Sequence, residues 1–178
     1  VKQTILITGG CRSGKSRQAL ALADLIEGDN KFFIATCIPN DQEMRRRIAR
    51  HKAERPAHWQ TIEEPLAIAE AITQHQSSGD VILVDCLTLW MSNLLMQSES
   101  MEQIENHIHQ LTKALQGAAC PVILVTNEVG SGIVPENPLA RTFRDTAGLA
   151  NQRVAACADT VIYMVAGIPM TVKSGKIR

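Results

Sequence analysis

Five short runs along the chain are apolar at consecutive positions: Thr4–Thr8, Lys31–Thr36, Val81–Asp85, Val122–Thr126 and Thr160–Val165. A strand with one wet face alternates apolar and polar residues. An unbroken run suits a strand covered on both faces, as in a parallel sheet between helices. Between the runs, apolar residues recur at spacings of three and four. Met101, Ile104, Ile108, Leu111 and Leu115 form one stripe, and Leu139, Phe143, Ala147, Ala150, Val154 and Cys157 form another. This alternation of strand and helix predicts an α/β fold, a mostly parallel sheet with helices on both faces. The tail, Val172–Ile177, predicts a small hairpin turning at Ser174 and Gly175. No repeat or linker interrupts the pattern, so one domain over residues 1–178 is expected.

Charge and composition narrow the classes of partner. Eighteen basic residues balance eighteen acidic ones, which leaves no long-range attraction for nucleic acid or anionic lipid. No apolar run approaches the roughly 20 residues of a membrane span. No charged-then-apolar leader opens the sequence, and the five cysteines, Cys11, Cys37, Cys86, Cys120 and Cys157, form no CxxC pair. Together these predict free, buried thiols in a cytoplasmic protein.

The strongest local signal follows the first strand. Gly9, Gly10, Cys11, Arg12, Ser13, Gly14, Lys15 and Ser16 make the eight-residue phosphate-binding loop, between a strand and a helix running from Arg17 to about Glu27 with Gly28 as its stop. The three glycines permit backbone conformations that let successive N–H groups curl round a phosphate. Lys15 supplies charge to the β and γ phosphates, the Ser16 hydroxyl can ligate Mg²⁺, and the helix dipole favours the anion. The fold class expected is therefore that of a P-loop NTPase. Such a site calls for a carboxylate at a neighbouring strand end. Asp85 fits that role; the alternative is a cap for a helix starting at Leu87. Asn127 and Glu128, with the turn Val129–Gly132, end the next strand as either site residues or turn formers.

The segment Asp41–Trp59 clusters Arg45, Arg46, Arg47, Arg50, Lys52 and Arg55. Met44, Ile48 and His51 fall on one helical face. Two readings stand: a solvated basic helix with one packed histidine, or a triphosphate-facing helix whose histidine reacts. The remaining histidines carry less. His107 and His109 cannot share a helical face, His75 belongs to a polar helix end over Gln74–Gly79, and His58 with Trp59 reads as a loop after Pro56.

At this point the chain resembles a known family, the bifunctional adenosylcobinamide kinase / adenosylcobinamide-phosphate guanylyltransferases of cobalamin biosynthesis. The resemblance lies in Thr8–Arg17, in Phe33 before Ile34–Thr36, and in Asp41–Trp59. It extends through Val125–Gly130, Gly132–Asn137, Phe143–Asp145 and Asn151–Arg153. It implies two reactions: ATP or GTP phosphorylates adenosylcobinamide, then GTP donates GMP through a covalent histidine to adenosylcobinamide phosphate, releasing pyrophosphate. His51 matches the guanylylated histidine. Ile34, Ala35, Thr36, Lys52, Ala53, Glu54, Arg55, Glu63 and Asp85 match nucleotide-contacting positions. Some relatives have a second histidine immediately before the reactive one; here Arg50 stands there. The resemblance also implies a homotrimer. A plain P-loop kinase of a small metabolite is the alternative enzyme. A GTPase switch lacks support, because the nearest thing to an Asn-Lys-x-Asp motif, Thr126–Val129, has neither the lysine nor the aspartate.

Overall fold

A computed structural model describes residues 2–39, 42, 46, 49, 58–97 and 100–175. Its strands are β1 (Thr4–Gly9), β2 (Lys31–Ala35), β3 (Trp59–Glu63), β4 (Val81–Asp85), β5 (Val122–Val125), β6 (Thr160–Val165) and β7 (Ile168–Ser174). Its described helices are α1 (Lys15–Asp24), α2 (Ile68–His75), α3 (Leu87–Met96), α4 (Met101–Gly117) and α5 (Pro138–Cys157). The strands form one sheet in the order β3-β2-β4-β5-β1-β6-β7, parallel throughout except for β7, which returns antiparallel to β6.

The consecutive apolar runs are sealed because each strand presents alternate residues to two cores. Leu6, Ile34, Val84 and Leu124 pack with Ile72, Trp90, Ile104 and Val154 of α2, α3, α4 and α5. Ile5, Ile7, Leu83 and Val125 pack on the opposite face with Ala19 and Ala23 of α1. The two helical stripes are buried over most of their length, Ile104, Ile108, Leu111 and Leu115 in α4 and Ala147, Ala150 and Val154 in α5, but their first members, Met101 and Leu139, are exposed, and Phe143 and Cys157 are half-buried. Both helices start on side-chain caps. Ser100 and Gln103 close a capping box, and Asn137 accepts from Ala140 N with Pro138 following it.

Three expectations are corrected. The C-terminal hairpin turns at Ala166 and Gly167, both at positive φ, so that the chain beyond Val165 lies back along β6 as β7; Ser174, expected in the turn, is the last residue of that strand. Trp59 opens a strand where a loop is expected. β3 is an edge strand with largely polar residues, ordered by its parallel ladder to β2 and by Trp59, which meets the Phe33 ring edge-on at 6.4 Å. All five cysteines are free, but only Cys86 and Cys120 are buried; Cys37 and Cys157 are half-buried, and Cys11 is exposed on the loop between β1 and α1. Within Asp41–Trp59, the described positions Gln42, Arg46 and Ala49 are helical and exposed, while His51, Lys52, Ala53, Glu54 and Arg55 lie outside the described residues. Among the described residues no helix is long and apolar enough to cross a membrane.

Candidate active site at the strand ends

The loop after β1 is shaped by two of its three glycines. Gly9 has φ 148°, and a Cβ there would stand 2.5 Å from the Met164 carbonyl of β6. Gly14, at φ 93°, is the left-handed residue that starts α1. Gly10 needs neither: its φ is not positive, and an added Cβ would meet nothing within 4 Å. The third left-handed position is Arg12 at φ 55°. Of the three glycines read as giving the loop its conformational freedom, Gly9 and Gly14 use it, and Gly10 does not. α1 begins at Lys15, two residues earlier than the pattern suggests, which puts Lys15 and Ser16 in its first turn.

Lys15 is buried within its own loop. Its Nζ donates to the Gly10 carbonyl at 2.6 Å and to Ser13 Oγ at 3.3 Å. The cation is thus held by oxygen acceptors of its own loop, and phosphate oxygens can take the place of the carbonyl. The loop is anchored from outside as well: Gly167 N, in the β6–β7 turn, donates to the Ser13 carbonyl at 3.1 Å.

Across the carboxyl edge of the sheet, the register sets Glu63, Ala35, Asp85, Val125 and Ile7 in one row. Asp85 therefore stands two strands from β1, about 10 Å away. The helix-cap reading of Asp85 fails: Cys86 is the residue preceding α3, and no side chain caps that helix. Neither the Asp85 carboxylate nor the Ser16 hydroxyl has a hydrogen-bond partner among the described residues. Two uncommitted hard oxygens suit Mg²⁺, which takes one or two protein ligands and fills the rest of its shell with phosphate and water.

The neighbours of Asp85 are structural. Thr36 Oγ1 donates to the Cys86 carbonyl and accepts from Cys86 N, both at 2.8 Å. Burial and the adjacent Asp85 charge push the Cys86 thiol up to about 12, so it stays protonated and is no nucleophile. Ile34 and Thr36 are fully buried, which leaves Ala35 as the accessible side chain of that trio, while Glu63 is exposed at the end of β3. Glu128 forms a turn: its carboxylate accepts from Gly130 N at 2.6 Å and Ser131 N at 3.1 Å. Desolvation would raise its pKa, but those bonds and the Arg144 charge outweigh it and hold the carboxyl below its ordinary range.

Sequence reasoning misses the polar side chains beneath this edge. Thr88 and Asn93 in α3 and Asn151 in α5 reach the ends of β2 and β5; Asn93 Nδ2 donates to the Thr36 carbonyl at 2.8 Å. Nothing in their spacing marks them, because their partners come from strands distant in sequence.

A parallel sheet whose first strand runs into a phosphate loop and whose neighbouring strand ends in an uncommitted aspartate defines a P-loop nucleotide-binding α/β protein. Solved structures show the same fold at low identity. A KaiC-like protein of Pyrococcus horikoshii superposes with a TM-score of 0.50 at 16% identity, covering 91% of this chain and 70% of that one. The flagellar accessory protein FlaH of Methanocaldococcus jannaschii gives 0.53 at 12%, covering 98% and 79%. Residues 5–172 match the model of the cobinamide kinase / cobinamide phosphate guanyltransferase family, and the chain belongs to that family of transferases. It is 45% identical over 168 residues to the bifunctional adenosylcobalamin biosynthesis protein CobP of Pseudomonas aeruginosa, covering 94% of this chain and 96% of the relative. It is also 45% identical over 181 residues to the corresponding CobU of Salmonella typhimurium, covering 95% and 99%.

Proposed function

We propose that this protein phosphorylates the hydroxyl of adenosylcobinamide with ATP or GTP, then transfers GMP from GTP to the resulting phosphate through a covalent GMP–His51. The observation that carries the reading is the folded Lys15 loop beside the uncommitted Ser16 and Asp85 oxygens, in a chain of this family.

In the first step the acceptor oxygen attacks the γ-phosphorus, the bond to the β-phosphate oxygen breaks, and a nucleoside diphosphate leaves as the hydroxyl proton is released. The loop N–H groups and Lys15 hold the triphosphate in line and take up its charge. Ser16 and Asp85 would hold Mg²⁺, which when bound neutralises phosphate charge. In the second step a neutral imidazole nitrogen of His51 attacks the α-phosphorus of GTP and pyrophosphate leaves. The terminal oxygen of adenosylcobinamide phosphate then attacks the phosphoramidate, which frees His51 and yields adenosylcobinamide-GDP. Ala35, Lys52, Ala53, Glu54, Arg55 and Glu63 are assigned to the nucleotide, and the assembly to a homotrimer, on the family resemblance.

GTP labelled at the α-phosphate tests the scheme. It should leave an acid-labile, alkali-stable label on the protein, whereas γ-label should not. His51→Asn should abolish label and guanylyl transfer while kinase turnover persists within about tenfold, because that step needs the loop and not the imidazole. Retained α-label in the variant would remove His51 from the mechanism. No label on the wild-type protein, with kinase turnover intact, would favour a simple kinase.

A further inference from the structure

Asn127 has no role in the two steps above, yet the fold holds it with unusual care. It lies two residues beyond Val125, the end of β5, between β1 with its phosphate loop and β4 with Asp85. The chain on both sides of it is tied to β1. Thr126 N donates to the Ile7 carbonyl at 2.9 Å, and Glu128 N donates to the Gly9 carbonyl at 3.0 Å. Its own backbone is bound by side chains from two helices: Asn127 N donates to Thr88 Oγ1 at 2.7 Å, and Asn151 Nδ2 donates to the Asn127 carbonyl at 3.1 Å. The Thr126 hydroxyl joins these two clamps, 3.3 Å from Thr88 Oγ1 and donating to Asn151 Oδ1 at 2.7 Å. Thr88 and Thr126 are both buried.

A residue fixed at both backbone groups from opposite sides leaves its side chain as the only free variable. The Asn127 carboxamide has no hydrogen-bond partner among the described residues, although the residue is half-buried. Two donors and an acceptor without partners among the described residues in such a place are met by water or by a ligand. A merely turn-forming asparagine would commit its side chain to the next backbone N–H groups. Here Glu128 does that, through Gly130 and Ser131.

We propose that the Asn127 carboxamide is a catalytic group of the kinase step, donating a hydrogen bond to the γ-phosphoryl group in transfer, with Thr88 and Asn151 as its positioning residues. This rests on the kinase reading given above. A donor fixed at the strand end before the substrate arrives needs no reorganisation as charge shifts during transfer, which gives the clamped backbone its purpose.

The test uses the full-length protein with ATP and adenosylcobinamide. Asn127→Ala should lower kcat about 100-fold while the Kd for ATP stays within about threefold, since the contact matters most in the transition state. Its Tm should stay within about 2 °C, because no protein hydrogen bond is lost. Thr88→Val should lower kcat to a lesser degree at unchanged KM, and Thr88→Ser, which restores the hydroxyl, should recover it. Asn127→Ala with kcat within about threefold of wild type, or with a large fall in Tm and no change in kcat, would overturn the assignment alone. A wild-type protein that forms no phosphorylated product would overturn the kinase reading and this role with it.

Discussion

β5 and β7 carry similar apolar residues and meet opposite fates. Val122, Ile123, Leu124 and Val125 of β5 are each at most 1% exposed. In β7, Ile168 is 65% exposed, Met170 54% and Val172 67%. β5 lies between β1 and β4 with helices over both faces, whereas β7 hangs on the sheet by one antiparallel neighbour and no described helix covers it. Apolar, β-prone residues thus make a strand in either place, but position in the sheet decides whether they stabilise the fold. The exposed ribbon still serves the site, since its turn donates from Gly167 N to the phosphate loop and Lys173 caps the end of α5 through the Ala155 and Ala156 carbonyls.

The contrast is sharpest when activity and stability are measured separately. Lys15→Ala should lower turnover in both steps by at least about 10³-fold, because charge stabilisation at the phosphates is lost, while the sheet beneath remains folded by circular dichroism. Residual turnover within about tenfold of wild type would take the loop out of the chemistry. Leu124→Ala, in the middle of β5, should cost about 3 kcal/mol in urea unfolding, as expected when a fully buried leucine leaves a cavity. Val172→Thr in β7 should change stability by less than about 0.5 kcal/mol, since the side chain is mostly in water already. A cost there approaching that of Leu124→Ala would show that β7 is covered in solution and would break the comparison.

How far the sequence reaches differs from element to element. The runs Val81–Asp85 and Val122–Thr126 announce covered parallel strands because burial on both faces leaves no polar position. The stripe from Met101 to Leu115 announces α4 because one face alone is sealed; Met101, at its end, is nearly half exposed. β3 is not legible: its residues are mostly polar, and only the ladder to β2 makes Trp59–Glu63 a strand. The turn at Ala166 and Gly167 is obscured for a related reason, since Ser174–Gly175 is an equally good local turn signal and pairing with β6 selects between them.

The chemistry divides in the same way. Gly9 to Ser16 are adjacent in sequence, so a loop that binds phosphate through consecutive N–H groups and one lysine is written in eight successive letters. The family follows from the sequence too, since its motifs are local runs. The dual role open to Asp85, cap or site acid, is not local, and only the bare start of α3 removes the cap. The hold on Asn127 is less local still: Thr88 and Asn151 stand 39 and 24 residues away along the chain. Hydrogen bonds across such separations depend on where two helices settle against the sheet, and that is decided by packing of the whole core, which no single stretch of sequence encodes.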